Sequence, residues 1–549
     1  MSNKIYAFIC LIFAWMTGAD IHAQVSGNPK SFSDTYLLKN CFVIPQPGQL
    51  LTGQDILIKK GKIAAIGTSL KAPFDAVEIP MDSMYVYAGF IDAYSHTGIA
   101  RPEQKDRPKV SDTVYPQNEE AGITPQVHAG DSYQSSDKSV AEMRAAGFTL
   151  SNIVPRGFML PGYADLFNLG DEPGDRMLLK AETAQNFQFT PIRGVYPGTV
   201  MGVMAKFREL YKNAELFAAK EKLYKDMPTQ YNRPEYSREL NALTDVTSRK
   251  LRLFVRAGHT RDVYRAMKLS SELGFDLVLA DVKQGWHYLD EIKKTNTGVI
   301  LSVDLPEMEK TKTDSVSSKK QSPFEIKKAE SLKAYLSQAA TFEKAGIPFA
   351  FSFIDVKTGD IKKNIRTMVE NGLSEKAALA ALTTYPAQLM GVAAQTGTIE
   401  KGKLANLVIT NKPYFDEKAA IRYVFVEGKK FEFSEKPKAK DGGKYAGIWS
   451  YVVEIPGMTQ EGKVTIIFEN GEYKISMYDN TRPGDVITAE DISVEGNRIT
   501  FSSNVNMGQP IHLNFDLTME DKTYSGTVTV SGFGAFPVKG TWISKPNNL

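Results

Sequence analysis

The sequence predicts an α/β protein built on a (β/α)8 barrel, with strand-rich segments on both flanks and an all-β domain at the C-terminal end. Three observations carry this. Between residues 89 and 393, short apolar runs without polar alternation are interleaved with segments of helical periodicity. Helix-like segments stop at a glycine just ahead of the next apolar run, at Gly147, Gly274 and Gly346. Residues 444–549 alternate apolar and polar positions and show no helical period.

The elements follow in order. Residues 1–23 read as a secretory signal: Lys4 is the positive start, Ile5–Trp15 is an apolar run too short to span a membrane, and Ala23 fits the cleavage position. The expected location is therefore a periplasm or the cell exterior, with no membrane span after cleavage. Residues 24–88 hold strand signals at Tyr36–Ile44, Asp55–Lys59, Lys62–Ile66, Val77–Ile79 and Tyr85–Ala88, with Lys60-Gly61 as a hairpin turn. The barrel stretch gives buried parallel strands at Phe148–Val154, Leu251–Ala257, Asp276–Val282, Gly298–Leu305 and Ile347–Phe353. Helices are expected at Lys138–Ala146, Arg261–Leu273 and Glu330–Ala345, and residues 199–228 read as a solvated outer helix. Pattern alone also permits a doubly wound sheet. Residues 308–328 are charged and Ser-rich and read as a surface loop. Residues 394–434 return to strands, 435–443 form a polar linker, and 444–549 form a small sandwich or closed antiparallel barrel with turns at Asn470-Gly471 and Gly496-Asn497. Trp449 and Trp542 read as core plugs.

Composition narrows the class. Of 549 residues, 42% are apolar and 23% charged, so the chain can bury a large core and is not disordered. Lys plus Arg is 66 against 63 for Asp plus Glu, and a net charge of +3 leaves no electrostatic footprint for nucleic acid. Two cysteines exclude a disulfide framework and any Cys-rich zinc module.

Three motifs carry a resemblance. The first is Ala88-Gly89-Phe90-Ile91-Asp92-Ala93-Tyr94-Ser95-His96-Thr97-Gly98, the second Ala378–Gly391 (ALAALTTYPAQLMG), the third Gly397–Val408 (GTIEKGKLANLV). Together they resemble the amidohydrolase superfamily, especially its imidazolonepropionase-like branch, over residues 32–434. The resemblance implies a TIM-like barrel and one composite β-domain closed by strands from both flanks. It also implies hydrolysis of carbon–nitrogen bonds, with metal ligands at the C-terminal ends of the barrel strands. Such a metal polarises a carbonyl and lowers the pKa of a bound water to about 7.

Position by position, this chain departs from the implied ligand set. The H-x-H pair stands as Tyr94-Ser95-His96. The bridging lysine position falls on Asn168, and the V-H-A histidine position is Arg256. A fourth histidine is absent at Ala280-Asp281. The last-strand aspartate position holds Ile354; Asp355 is one residue on, where strand alternation would point it away. The third motif's usual aspartate is Asn406, a structural departure. The degenerate positions are thus Tyr94, Asn168, Arg256 and Ile354. His96 alone remains, and a catalytic zinc needs at least three protein ligands.

Two rescues are conceivable. His259 and His287 sit in strand-to-helix loops and, with His96 and either Asp281 or Asp355, could rebuild a one-zinc site; the bland reading is solvated or capping histidines. Without metal, Asp281 and Asp355 are candidate catalytic groups and Arg256 and Tyr94 candidate substrate contacts. Arg256 is equally read as pairing with Asp281 across adjacent strand ends, in the space a metal would take. Asp92 reads as a structural hydrogen-bond acceptor and His128 as a surface or interface residue. The expectation is an exported, catalytically impaired family member without cofactor, acting as a scaffold or as partner of an intact homologue, or as a homo-oligomer. The alternative is an active amide hydrolase with a rebuilt site.

Overall fold

The protein is described by a computed structural model covering residues 35–101, 110, 112–306, 323–433, 443–455, 458–469, 472–479, 486–506, 510–530 and 534–545. The segment read as a secretory signal, residues 307–322 of the stretch read as a charged loop, nearly all of the expected linker and the expected Asn470-Gly471 turn lie outside the described residues. The chain divides into two compact units between Phe433 and Ser434. Among the described residues no helix is long and apolar enough to cross a membrane.

Eight strands form the barrel sheet: Phe90–Ser95 (β1), Phe148–Ile153 (β2), Gly162–Asn168 (β3), Leu178–Gln188 (β4), Leu253–Arg256 (β5), Leu277–Val282 (β6), Gly298–Ser302 (β7) and Ala350–Ser352 (β8). They are hydrogen-bonded in chain order. Ser352 Oγ donates to Tyr94 O at 3.1 Å and so ties β8 back to β1. Ile91, Leu150, Ala164, Ala184, Phe254, Val278, Ala280, Ile300 and Ala350 fill the interior.

One strand departs from the expected repeat. β3 runs antiparallel to both β2 and β4. Antiparallel neighbours need no long crossover, so this part of the barrel is built by reversals instead of full strand–helix units.

The main helices are Lys138–Ala145 (α1), Val200–Asp226 (α2), Arg238–Thr247 (α3), Thr260–Leu273 (α4), Leu289–Thr295 (α5), Pro323–Leu336 (α6), Gln338–Lys344 (α7), Ile361–Glu370 (α8), Glu375–Leu382 (α9) and Thr384–Leu389 (α10). The expected Glu330–Ala345 helix is broken at Ser337, and α6 begins inside the segment read as a loop, so residues 323–328 are helical. α2 is not simply solvated: Val203, Phe207, Leu210, Tyr211, Ala214 and Phe217 are buried at helical spacing.

The flanking strands share one sheet. Leu407–Thr410 pairs antiparallel with Tyr85–Ala88, placing Leu407 opposite Ala88 just before β1 begins. Lys60 and Gly61 both have positive φ, as a tight hairpin turn requires. Asn406 stitches this sheet to the barrel: its carbonyl accepts from Gly89 N at 2.8 Å and its Nδ2 donates to Asn168 at 3.2 Å.

The C-terminal unit is a nine-stranded, wholly antiparallel sheet around Trp449, Tyr451, Ile466, Phe501, Phe515 and Leu517. Trp449 is a buried plug whose Nε1 donates to Tyr445 O at 3.1 Å. Trp542 is only partly buried, with Lys522 Nζ 5.3 Å from its ring centre.

Candidate functional site

The mouth of the barrel is the end at which the parallel strands finish. β5 ends on Arg256, paired in register with Ala280 of β6. The β6 ladder then shifts register between Leu279 and Val282, and Asp281 takes a positive φ of 51°. A bulge of this kind re-aims a side chain, and aspartate tolerates the left-handed conformation better than most residues. Arg256 Nε donates to Asp281 Oδ2 at 2.9 Å. Its Nη2 donates to Asp355 Oδ2. Ser352 Oγ of β8 donates to the other Asp281 oxygen at 3.3 Å. One guanidinium thus ties the mouth ends of β5 and β6 to the segment that follows β8.

Exposure separates the two carboxylates. The Asp281 side chain is 1% exposed and that of Asp355 is 49% exposed. Burial pushes the Asp281 carboxyl up, and the charge of Arg256 pulls against it. Burial works against the Arg256 charge, but Asp281, Tyr94 and Asp355 together hold the guanidinium above its ordinary value. Behind them, burial raises the Tyr94 phenol, so it stays neutral. Asp92 is fully buried; burial pushes its carboxyl up to about 8. Its Oδ1 accepts from Tyr94 N at 3.1 Å.

His96 follows β1. Its Nδ1 lies 2.8 Å from Val154 O. A carbonyl can only accept, so Nδ1 carries the proton and Nε2 is left as the acceptor. Burial first, then the charge of Arg156, lowers its pKa to about 4. A folded pKa below the ordinary 6.5 means that its contribution to stability is fully present above pH 6.5 and is lost as pH falls toward 4. His96→Gln, which can still donate to Val154 O, should therefore lose less stability across that window, by on the order of 2 kcal/mol. Urea unfolding at a series of pH values reads this directly; parallel losses in both proteins would contradict it.

The described residues do not bring His259 and His287 together with His96 in a group that could hold a metal. His259 is exposed at the N-cap of α4. His287 is exposed with its ring 5.5 Å from that of Trp286. Among the described residues no three His, Cys, Asp or Glu side chains are grouped to hold a metal ion. The donor chemistry agrees: both mouth carboxylates are engaged by a fixed cation, which would repel a divalent ion between them. The residues present do not fit the metal that the resemblance implies.

Two other placements differ from expectation. Asn168 is at the base of the barrel, not the mouth: β3 runs backwards, so its last residue lies opposite Leu150 near the start of β2 and donates to Glu427 at 2.9 Å. Asp355 points toward Arg256, because β8 ends at Ser352 and strand alternation no longer applies three residues later. Ile354 packs against the barrel interior. His128 is partly exposed at the surface, as expected, with its ring stacked on Tyr163 at 4.7 Å between centroids and lying between Asp165 and Glu182. Sequence reading missed the cavity beside Arg256, of about 840 Å³, lined by Gln188, Phe189, His259, Arg261, Lys283 and Gln284 among others. The only sequence signal for it is Gly258-His259-Thr260 directly after a strand end.

Residues 283–431 match the amidohydrolase family. An amidohydrolase from Thermotoga maritima MSB8 superposes with a TM-score of 0.60 at 21% identity, covering 72% of this chain and all of that one, a likeness that shows the fold. An Xaa-Pro dipeptidase with methionine in its active site gives 0.44 at 18% identity, covering 73% of this chain and 100% of that one. A putative prolidase from Bifidobacterium longum gives 0.43 at 14%, covering 72% and 94%. No curated protein matches the chain.

Proposed function

We propose that this chain, a member of the amidohydrolase family by its match over residues 283–431, is an exported, catalytically impaired homologue that acts as a scaffold or partner subunit. The observation that supports this reading is Arg256. Its guanidinium engages Asp281 and Asp355, the two carboxylates a metal would compete for at the mouth. The one histidine kept from the H-x-H motif has no companions: among the described residues no three His, Cys, Asp or Glu side chains are grouped to hold a metal ion. A barrel with these groups keeps the family's framework and lacks the donors that its water-activating step requires.

Zinc content of the purified mature chain tests the reading. After zinc loading and desalting, substoichiometric metal is expected, with no difference between the parent and His96→Ala. One zinc per chain that disappears in His96→Ala would overturn it. Co-purification with a homologue carrying an intact H-x-H would support the partner role, and a failure of the two to associate when co-expressed would remove it.

A further inference from the structure

We infer that the cavity beside Arg256 is a binding site for a small dicarboxylate, and that Asp355 holds the place of one of the ligand's carboxylates. The inference rests on the reading that a guanidinium, and no metal, organises the mouth.

The cavity volume of about 840 Å³ suits a small organic ligand. Four cationic side chains line it: Arg256, Arg261, Arg265 and Lys283. Two of them are engaged nearby, Arg265 with Asp262 at 2.7 Å and Lys283 with Asp304 at 2.5 Å. The other two are the recognition groups. Arg261 lies in the first turn of α4, is exposed, and has no ion-pair partner among the described residues. Arg256 keeps its inner bond to the sealed Asp281, but its outer bond goes to the half-exposed Asp355. An exposed ion pair of this kind contributes little, so an incoming carboxylate can exchange with it. A guanidinium is shaped for that exchange, since it presents donors in a planar fork.

The backbone favours the same ligand. α4 is 14 residues long, and its N-cap, His259, has an extended backbone but no side-chain bond to the first-turn N–H groups. The positive end of the helix meets the cavity with its one first-turn acid, Asp262, held by Arg265 at 2.7 Å. A Cβ built on Gly258 would meet nothing within 4 Å, so a ligand can approach the chain closely there. One carboxylate would sit on Arg256 in place of Asp355 and the other on Arg261 and the start of α4.

Calorimetric titration of the full mature protein with succinate, glutarate and adipate, at fixed ionic strength, tests this. Saturable binding of at least one is expected, with butyrate at least about tenfold weaker. Asp355→Asn removes the internal competitor and should tighten binding about tenfold, whereas Arg261→Gln should weaken it by a similar factor. Both positions are exposed enough to be changed without loss of fold, which circular dichroism checks. No saturable binding of any of the three diacids to Asp355→Asn, or an affinity in Asp355→Asn no tighter than the parent's, would overturn the site. Zinc measured on the same samples separates the two readings: no diacid binding without zinc sinks only the ligand site, while stoichiometric zinc sinks the guanidinium reading beneath it.

Discussion

Arg256→Ala is expected to destabilise the barrel unit by about 3–5 kcal/mol, the range for breaking a buried ion pair from one side. The loss comes from Asp281. Its side chain is 1% exposed and would be left with the neutral hydroxyls of Ser352 and Ser302 in place of a charged partner. Asp355, half exposed, rehydrates at little cost. The pH dependence follows from the sign of the shift. Burial already pushes the Asp281 carboxyl up, and removing Arg256 takes away the largest opposing influence. A carboxyl raised in the folded state contributes stability that is full below its unfolded pKa and is lost as pH rises through the folded one. The cost of Arg256→Ala should therefore be smaller at pH 5 than at pH 8. Urea unfolding at both values measures it, with the C-terminal unit's transition fitted separately. Equal stability of variant and parent at pH 8 would mean that the ion pair does not hold the mouth.

Gly162→Ala should be comparably severe, at about 3 kcal/mol or more, for a reason of shape. Gly162 opens β3 with a φ of 128°, a conformation that L side chains rarely adopt. A Cβ there would sit 2.1 Å from Val127 O, a backbone atom that cannot rotate away. Val127 O also accepts from Tyr163 N at 2.8 Å, so relief of the clash must lift the loop carrying His128 off β3. Hydrogen exchange at Tyr163 N–H should accelerate in the variant, together with a lower unfolding midpoint. Unchanged exchange at that amide would show that the loop does not dock on β3 as described.

What the sequence revealed and concealed follows from how far each local rule reaches. The parallel strands were legible because a strand buried on both faces is apolar at every position, as in Leu277–Ala280. β3 was not, since GYADLFN mixes Asp, Asn and Tyr and follows a Pro-Gly-rich turn that reads as loop. Missing β3 also misplaced Asn168: matching a motif by spacing assumes a direction of travel, and β3 reverses it. The Arg256–Asp281 pair could be anticipated from adjacent strand ends, whereas the bulge that aims Asp281 depends on a backbone twist that no side-chain pattern encodes. Asp355 was misjudged because alternation holds only while a strand lasts. His259 and His287 lie in loops, where periodicity says nothing about direction. In the C-terminal unit, by contrast, polar–apolar alternation identified the strands because one face of each is solvated.

The most direct test of the central claim is a crystal structure of the mature chain grown with zinc, with anomalous scattering collected at the zinc edge. The guanidinium of Arg256 should lie between Asp281 and Asp355, with no anomalous peak at the barrel mouth. A zinc peak bonded to Asp281 and Asp355, with Arg256 displaced from both, would contradict the account.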